Sequence, residues 1–443
     1  MLICPLDYRY GRPEMKDVFS KETYTQRLLD VEAAIARAHA TLGNIPKEAA
    51  DIITEKATVD IVDWREVERV EREDTKHDIM ALVKVLGSHC GDAEGYIHLG
   101  ATSNDIIDTA TALQIRDGLD ILEKDLISLK ESFKIRAKEH RDTIMVGRTH
   151  AQHGIPITFG LKLAVYLNEI NRHIKRVREG KERFVAGKLS GAVGTGASFG
   201  KDAREIQQLV MEDLGIGFEE ASGQIVGRDR HIEMVCLMAN ISTTLQRFAT
   251  EIRNLQRPEI MEAAEAFETK KQVGSSTMAH KKNPITAENI CGLARTLRGF
   301  VLPSFDNNIL WHERDLTNSS SERITLPHMF VLLDDILVKN DKLVRNMEVF
   351  PENMKRNLEL SKGLIMGEAV MIYLSNKGMS RQEAHERIRK ASMVARAEDR
   401  TLKEVLMEDD YVMEKITEDE LDSVMDPNNY VGRSREIVDE IVG

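Results

Sequence analysis

The chain is poor in proline and in aromatic side chains, with 10 prolines and 5% Phe, Trp and Tyr in 443 residues. Scarce proline leaves long stretches free to be helical, and the abundance of Ala, Leu, Glu, Lys, Arg and Met inclines the same way. Cysteine is scarce as well. Cys4, Cys90, Cys236 and Cys291 lie far apart with no Cys-x-x-Cys pair; that spacing offers neither a disulfide framework nor a zinc site and suits a reducing cytosol. No apolar run approaches the roughly 20 residues of a membrane span. The stretch Met1–Leu6 is too briefly apolar for a signal peptide before Asp7 and Arg9 follow. Basic charge is not in excess either: 61 Lys and Arg face 73 Asp and Glu, a formal net charge of −12. That balance argues against nucleic acid or a membrane surface as partner, while a local basic pocket can still hold an anionic small molecule. A cytoplasmic protein is expected.

What is present is helical periodicity on a long scale. Residues 1–103 read as short helices, one over Lys21 to Leu42 and another over Asp63 to Leu86. From Ser103 to His140 no proline intervenes, and Ile106, Ile107, Ala110, Leu113, Leu119, Leu122, Leu126, Leu129 and Phe133 keep a helical period. A helix of that length is a rod of about 55 Å, longer than a small domain is wide. Further helices are expected over Ile157 to Arg178, Asp229 to Glu268 with a kink at Pro258, Thr286 to Phe300, and Pro327 to Met347. After Phe350 shorter helices return, one starting at the capping sequence Ser380-Arg381-Gln382-Glu383. The reading is all-α in three helical domains, 1–103, 104–350 and 351–443, the middle one a bundle of long helices that buries its stripes as a multi-helix core, within one chain or across subunits. The Gly-rich run Gly187–Gly196 lacks the Gly-Lys-Ser/Thr ending of a phosphate-binding loop.

Six polar segments interrupt this scaffold. Tyr8-Arg9-Tyr10 offers an arginine for a phosphate or carboxylate. Thr75-Lys76-His77-Asp78 sets a histidine beside two charges. Gly100 to Asp105 opens the longest helix, where free N–H groups, the dipole and the hydroxyls of Thr102 and Ser103 attract an anion. Gly147 to Gly154 holds His150 and His153; Gly154 and Pro156 make it a loop, and no nearby Cys, Asp or Glu completes a metal site, so proton transfer suits a histidine there better. Gly274 to Pro284 is rich in hydroxyls and amines, and Leu310 to Arg323 places two arginines nine residues apart with serines between them. Taken singly, each has a plainer reading: a solvated turn, a surface histidine, a helix cap or a salt-bridged connection.

Together they resemble one family. The run Gly274-Ser275-Ser276-Thr277-Met278-Ala279-His280-Lys281-Lys282-Asn283 is similar to the mobile-loop motif of the fumarase/aspartase superfamily. The lead-in Arg9 to Met15, Thr75 to Asp78, Gly147 to His150, Arg228 to His231 and Trp311 to Asp315 resemble its adenylosuccinate lyase branch. Ala279 stands where the family usually has proline, which predicts a more mobile open loop. The resemblance implies β-elimination of fumarate from a succinylated amine: adenylosuccinate giving AMP, and the succinocarboxamide imidazole ribotide of purine synthesis. It implies Ser275 as base and His150 as acid, with His77, Lys281 and Glu288 in support. Substrate contacts would come from Arg9, Tyr10, Lys76, Asp78, Thr102, Ser103, Gln224, Asn283, Arg314, Ser319 and Arg323. Neither metal nor organic cofactor is implied, and the assembly would be a homotetramer with active sites shared between subunits. The alternatives are another lyase of the superfamily, of the argininosuccinate or carboxymuconate type, or a catalytically silent structural protein on the same fold.

Overall fold

The computed structural model of the chain describes residues 4–267, 277–278 and 280–443. Helices dominate, and strands occur among the described residues only as three two-stranded pairs. No described helix is long and apolar enough to cross a membrane. The chain divides into two compact units, each built from three stretches. Unit one holds Met1–Ile127, His173–Thr243 and Gly292–Val338; unit two holds Ser128–Arg172, Thr244–Cys291 and Lys339–Gly443.

The long helix expected from Ser103 is there, as Ser103–Glu139, and the first long one runs Lys21–Thr41 behind a Ser20 cap that accepts from Thr23 N–H. Other expectations shift. The single helix expected over Asp63 to Leu86 is two, Trp64–Val70 and Asp78–Ser88, parted by a widened turn Glu71–Thr75 and by Lys76 in the left-handed region at φ 53°. The helix from Asp229 stops at Leu255, before Pro258, and Ala263–Ala264 pairs instead with Glu348–Val349. The helix expected to start at Pro327 starts at Thr317 and carries Pro327 inside it. That places Ser319 and Arg323 four residues apart on its first turns, on one face.

In unit one, Leu29, Ile35, Ile53, Ile79, Leu82, Leu86, Ile106 and Leu113 form one continuous core with Leu189, Ile206 and Val210. Each such side chain removed from water is worth roughly 1.5–3 kcal/mol. The lead-in Arg9–Arg12 is tied down beside it. Arg12 donates through Nε to Asp334 at 3.0 Å and through Nη2 to Asp125 at 2.6 Å, and Gly11 N–H donates to Asp335 at 3.0 Å. Gly11 has φ 82°, and a Cβ there would run into the Val331 side chain, so only glycine fits.

Burial, with the Asp334 carboxylate alongside, pushes Asp125 up to about 7 even though Arg12 opposes the rise. The folded chain then keeps a proton that the unfolded chain releases near its ordinary value of 3.8. The stability this group contributes is present at acid pH and is lost as the pH rises through about 7. Between pH 5 and 8 the melting temperature of Asp125→Asn is therefore expected to fall less than that of the parent; parallel curves would contradict the assignment.

Unit two packs Phe248 edge to face against both Phe133, at a centroid distance of 4.9 Å, and Tyr166, at 5.1 Å. Such pairs add about 0.5–1.5 kcal/mol beyond area burial. A second core, Val370, Leu374, Ala384, Ile388, Leu402, Leu406 and Leu421, lies wholly within the C-terminal helices. A third joins Val146 of an antiparallel hairpin, Ile144–Thr149 with Gln152–Thr158, to Leu358, Ile365 and Met366.

Candidate active site

In unit one the break after Val70 presents the Thr75–Asp78 segment. Lys76 turns left-handed and donates its ammonium to Arg72 C=O; His77 is extended and caps the next helix. His77 Nδ1 lies 3.4 Å from both the Met80 N–H and Asp78 Oδ1, and its Nε2 faces Ser103 Oγ at 3.4 Å. Asp78 lies next to it, with Oδ2 3.6 Å from Arg323 Nη2. These contacts are long and partly exposed, at 3.4–3.6 Å.

Thr102 and Ser103 are presented by a buried ion pair. Thr102 N–H donates to Asp105 Oδ2 at 2.9 Å, while Asp105 also accepts from Ser190 N–H at 3.0 Å, Gly191 N–H at 3.2 Å and the Lys188 ammonium. Both charged side chains are fully buried. The Gly-rich run thus wraps the start of the long helix, and Gly191 at φ 72° supplies the turn that brings its N–H to the carboxylate.

Gln224 and Arg314 form a third element. Gln224 donates to Ala192 C=O at 2.9 Å and accepts from Arg314 Nη1 at 3.0 Å, and its N–H donates to Glu313 C=O at 3.1 Å. Burial, with the neighbouring Arg228 charge, pushes Arg314 below its ordinary value. Arg228 itself is buried between Asp108 at 2.8 Å and Glu322 at 2.8 Å. A cavity of about 400 Å³ opens here, lined by Tyr24, Asp78, Asn104, Arg314, Ser319 and Arg323 among others. Of the residues expected from the sequence it gathers Asp78, Arg314, Ser319 and Arg323. Lys76, His77, Thr102, Ser103 and Gln224 stand on neighbouring segments of the same unit, and Arg9 and Tyr10 on the lead-in fixed by Arg12, with the Arg9 guanidinium 5.9 Å from the Tyr10 ring.

In unit two, His150 lies at the tip of the hairpin. Thr149 pairs with Gln152, so His150 and Ala151 are the two turn residues, both left-handed at φ 52° and 59° and both exposed. Two stem residues earlier, Arg148 donates both Nη groups to the carboxylate of Glu262 at 2.7 Å each. His153 faces Arg148 across the stem, and burial, with that positive charge, pushes its imidazole down.

Ser275 lies outside the described residues, as does Ala279. Lys281 is exposed, and its N–H donates to Met278 C=O at 3.0 Å. Asn283 precedes the helix Ile285–Gly299, whose first turn carries Glu288. Glu288 is exposed, and among the described residues no hydrogen bond or ion pair joins it to His150. The return of this segment is anchored by residues with no motif of their own. Glu265 accepts from Thr286 and Ala287 N–H at 3.0 Å, capping the helix from outside, and Gln256 donates to Lys282 C=O at 3.0 Å. Among the described residues no cluster of three or more His, Cys, Asp or Glu side chains is arranged to hold a metal ion.

A family described as lyase matches residues 7–299, and one described as adenylosuccinate lyase C-terminus matches 363–441. The chain is 53% identical over 442 residues to a protein of Pyrococcus abyssi named adenylosuccinate lyase, covering 100% of this chain and 98% of that one. It is 43% identical over 437 residues to the protein of that name from Aquifex aeolicus, covering 98% of each. Its fold matches a fumarate lyase from Mesorhizobium sp. BNC1 at a TM-score of 0.89 and 33% identity, covering 98% of both chains. It also matches a 3-carboxy-cis,cis-muconate lactonizing enzyme from Pseudomonas putida at 0.88 and 33%, covering 99% of this chain and 98% of that one.

Proposed function

The chain belongs to the adenylosuccinate lyase family, and from that premise we propose how its residues release fumarate from adenylosuccinate, leaving AMP, and from the corresponding imidazole ribotide. The observation that carries the reading is the gathering of Asp78, Arg314, Ser319 and Arg323 on one cavity. Two guanidiniums, a hydroxyl and a carboxylate suit a nucleotide, with the forked donors on phosphate or carboxylate oxygens. Neither an argininosuccinate nor a muconate substrate carries a phosphate for that set.

In the elimination, a base takes the proton from the carbon next to a carboxylate, the C–N bond breaks, and an acid gives a proton to the leaving nitrogen. Ser275 is the base and His150 the acid. Serine works as a base only when its alkoxide is stabilised, which falls to Lys281, Asn283 and the loop amides when the loop closes. Charge develops on the carboxylate beside the carbanion, where preorganised donors lower the barrier most. Thr102 and Ser103 at a helix N-terminus, with Gln224, supply such donors. His77 lies beside the substrate phosphate or relays a proton, Glu288 orients His150 once ligand is bound, and Arg9, Tyr10 and Lys76 complete the nucleotide contacts.

The working form is a cytoplasmic homotetramer in which several subunits build each site. Four unpaired cysteines suit a reducing compartment. Leu302, Phe305, Ile309, Trp311 and Leu316 are large apolar side chains exposed on the chain alone, as a surface that meets other copies would be. The division into 1–103, 104–350 and 351–443 stays part of the proposal, supported by the separate C-terminal match and the self-contained core over Val370 to Leu421. Mixing inactive Ser275→Ala and His150→Ala chains after dissociation tests function and sharing together. Partial recovery of fumarate release is expected; none under conditions that exchange subunits would contradict shared sites.

A further inference from the structure

Rested on the reading of His150 as the acid, we infer that the Arg148–Glu262 ion pair is its positioning device, acting through the backbone of the turn. A two-residue hairpin loop with both φ values positive normally carries Asn-Gly or a similar pair. Here the positions are held by His150 and Ala151, at 52° and 59°. Histidine enters that region less readily than asparagine and alanine rarely does, so the pair persists where its surroundings hold it.

The surroundings here are one-sided. His150 is exposed on the chain alone, with no side-chain hydrogen bond among the described residues, so within one chain no described contact at the ring itself fixes its direction. The stem does. The strand register shifts between Val146 and Arg148, and a Cβ on Gly147 would lie 2.8 Å from Ile155 C=O, so the strands close tightly just below the turn. Arg148 then leaves the stem toward Glu262 and meets it fork to fork at 2.7 Å on both oxygens. The Glu262 carboxylate has no freedom to follow a moving partner. It is fully buried and takes a further hydrogen bond from Asn357 Nδ2 at 2.8 Å. Its own N–H donates to Leu255 C=O at 3.1 Å, and its C=O accepts from Phe350 N–H at 3.0 Å. Asn357 donates again to Ile260 C=O at 2.8 Å, and Asn353 donates to Met261 C=O at 2.8 Å beside Met261 at φ 45°. The guanidinium is thus planted in a rigid acceptor two residues from the acid, and the planar fork fixes orientation as well as distance.

An ion pair that only stabilised the hairpin would leave the acid step untouched per folded molecule. One that aims the acid affects the step in which the acid acts, and only that step. The test is a double-mutant cycle between Arg148→Lys, which keeps the charge and loses the fork, and His150→Asn, read as kcat and KM for fumarate release. Arg148→Lys is expected to lower kcat by about 10- to 100-fold with KM changed less than about threefold, in line with the sensitivity of catalysis to small misplacements. In the His150→Asn background it is expected to add less than about twofold, because the acid it aims is gone. Glu262→Gln, equal in size and shape, serves as the second arm and gives the same pattern. Losses that multiply in the double variant, or full activity in Arg148→Lys and Glu262→Gln, would overturn the inference while leaving His150 as the acid. Near-native activity in His150→Asn alone would instead remove the reading on which it rests.

Discussion

His150→Asn is expected to lower kcat for fumarate release by about 10²- to 10⁴-fold, the range a positioned general acid contributes, with KM changed far less. The size follows from the leaving group. Breaking the C–N bond without a proton leaves an amide-like anion on nitrogen, and water is a poor substitute for a positioned general acid. Asparagine suits the test because the turn needs φ 52° at this position, and asparagine enters the left-handed region more readily than histidine does. The stem, from Ile144 paired with Thr158 to Thr149 paired with Gln152, does not depend on the imidazole. A fall in kcat with an unchanged melting temperature is therefore attributable to chemistry. A loss below about fivefold, measured at saturating substrate across the pH range, would take His150 out of the acid's role.

Lys188→Met is expected to be the most destabilising single change proposed, costing about 3–5 kcal/mol, because it leaves a buried carboxylate without its counter-charge. Asp105 and Lys188 are both fully buried. The carboxylate would keep the N–H groups of Thr102, Ser190 and Gly191, which places the cost toward the lower end. Magnitude separates this pair from the many others on the surface. The Arg389–Glu386 pair, with both side chains about half exposed, is worth roughly 0–1 kcal/mol. Adding Asp105→Asn to Lys188→Met removes the stranded charge and is expected to restore much of the loss. Denaturant unfolding of the two variants measures both effects. A shift under about 1 kcal/mol for Lys188→Met would mean that backbone N–H groups alone satisfy Asp105. The same substitution is expected to weaken substrate binding, since Thr102 and Ser103 are framed by that carboxylate.

How much of this was legible beforehand depends on how local the signal is. The helix Ser103–Glu139 is written in its own apolar period, and the structure differs from the expectation by one residue at its end. Boundaries set by conformation rather than composition were not legible. Nothing in Glu71–Thr75 announces a widened turn, and Lys76 is not a residue type that advertises a left-handed φ, so the break that frees His77 looks like continuous helix in the sequence. Pro327 misled in the other direction. A proline reads as a helix start, yet here it sits a few turns into a helix begun by Thr317, which places Ser319 and Arg323 on one cavity wall rather than on a connection.

The site shows the same division. Its chemical groups stand in short motifs whose order along the chain carries the family resemblance. The groups that hold them do not. Glu262 meets Arg148 across 114 residues, Lys188 meets Asp105 across 83, and Glu265 caps a helix beginning 20 residues further on. Glu262 and Glu265 are plain charged residues in helix-like sequence, and Lys188 is one lysine in a Gly-rich connection. Only folding supplies their partners, and no spacing rule reaches that far. Ser275 is legible as a motif residue alone, since it lies outside the described residues.

The measurement that bears most directly on the whole account is turnover by the purified chain of a panel of substrates, read as fumarate release from adenylosuccinate and argininosuccinate and as loss of the conjugated diene from carboxymuconate. Fumarate and AMP in equal amounts from adenylosuccinate, with the other two inert, is the result predicted. Turnover of either rival with adenylosuccinate untouched would contradict it.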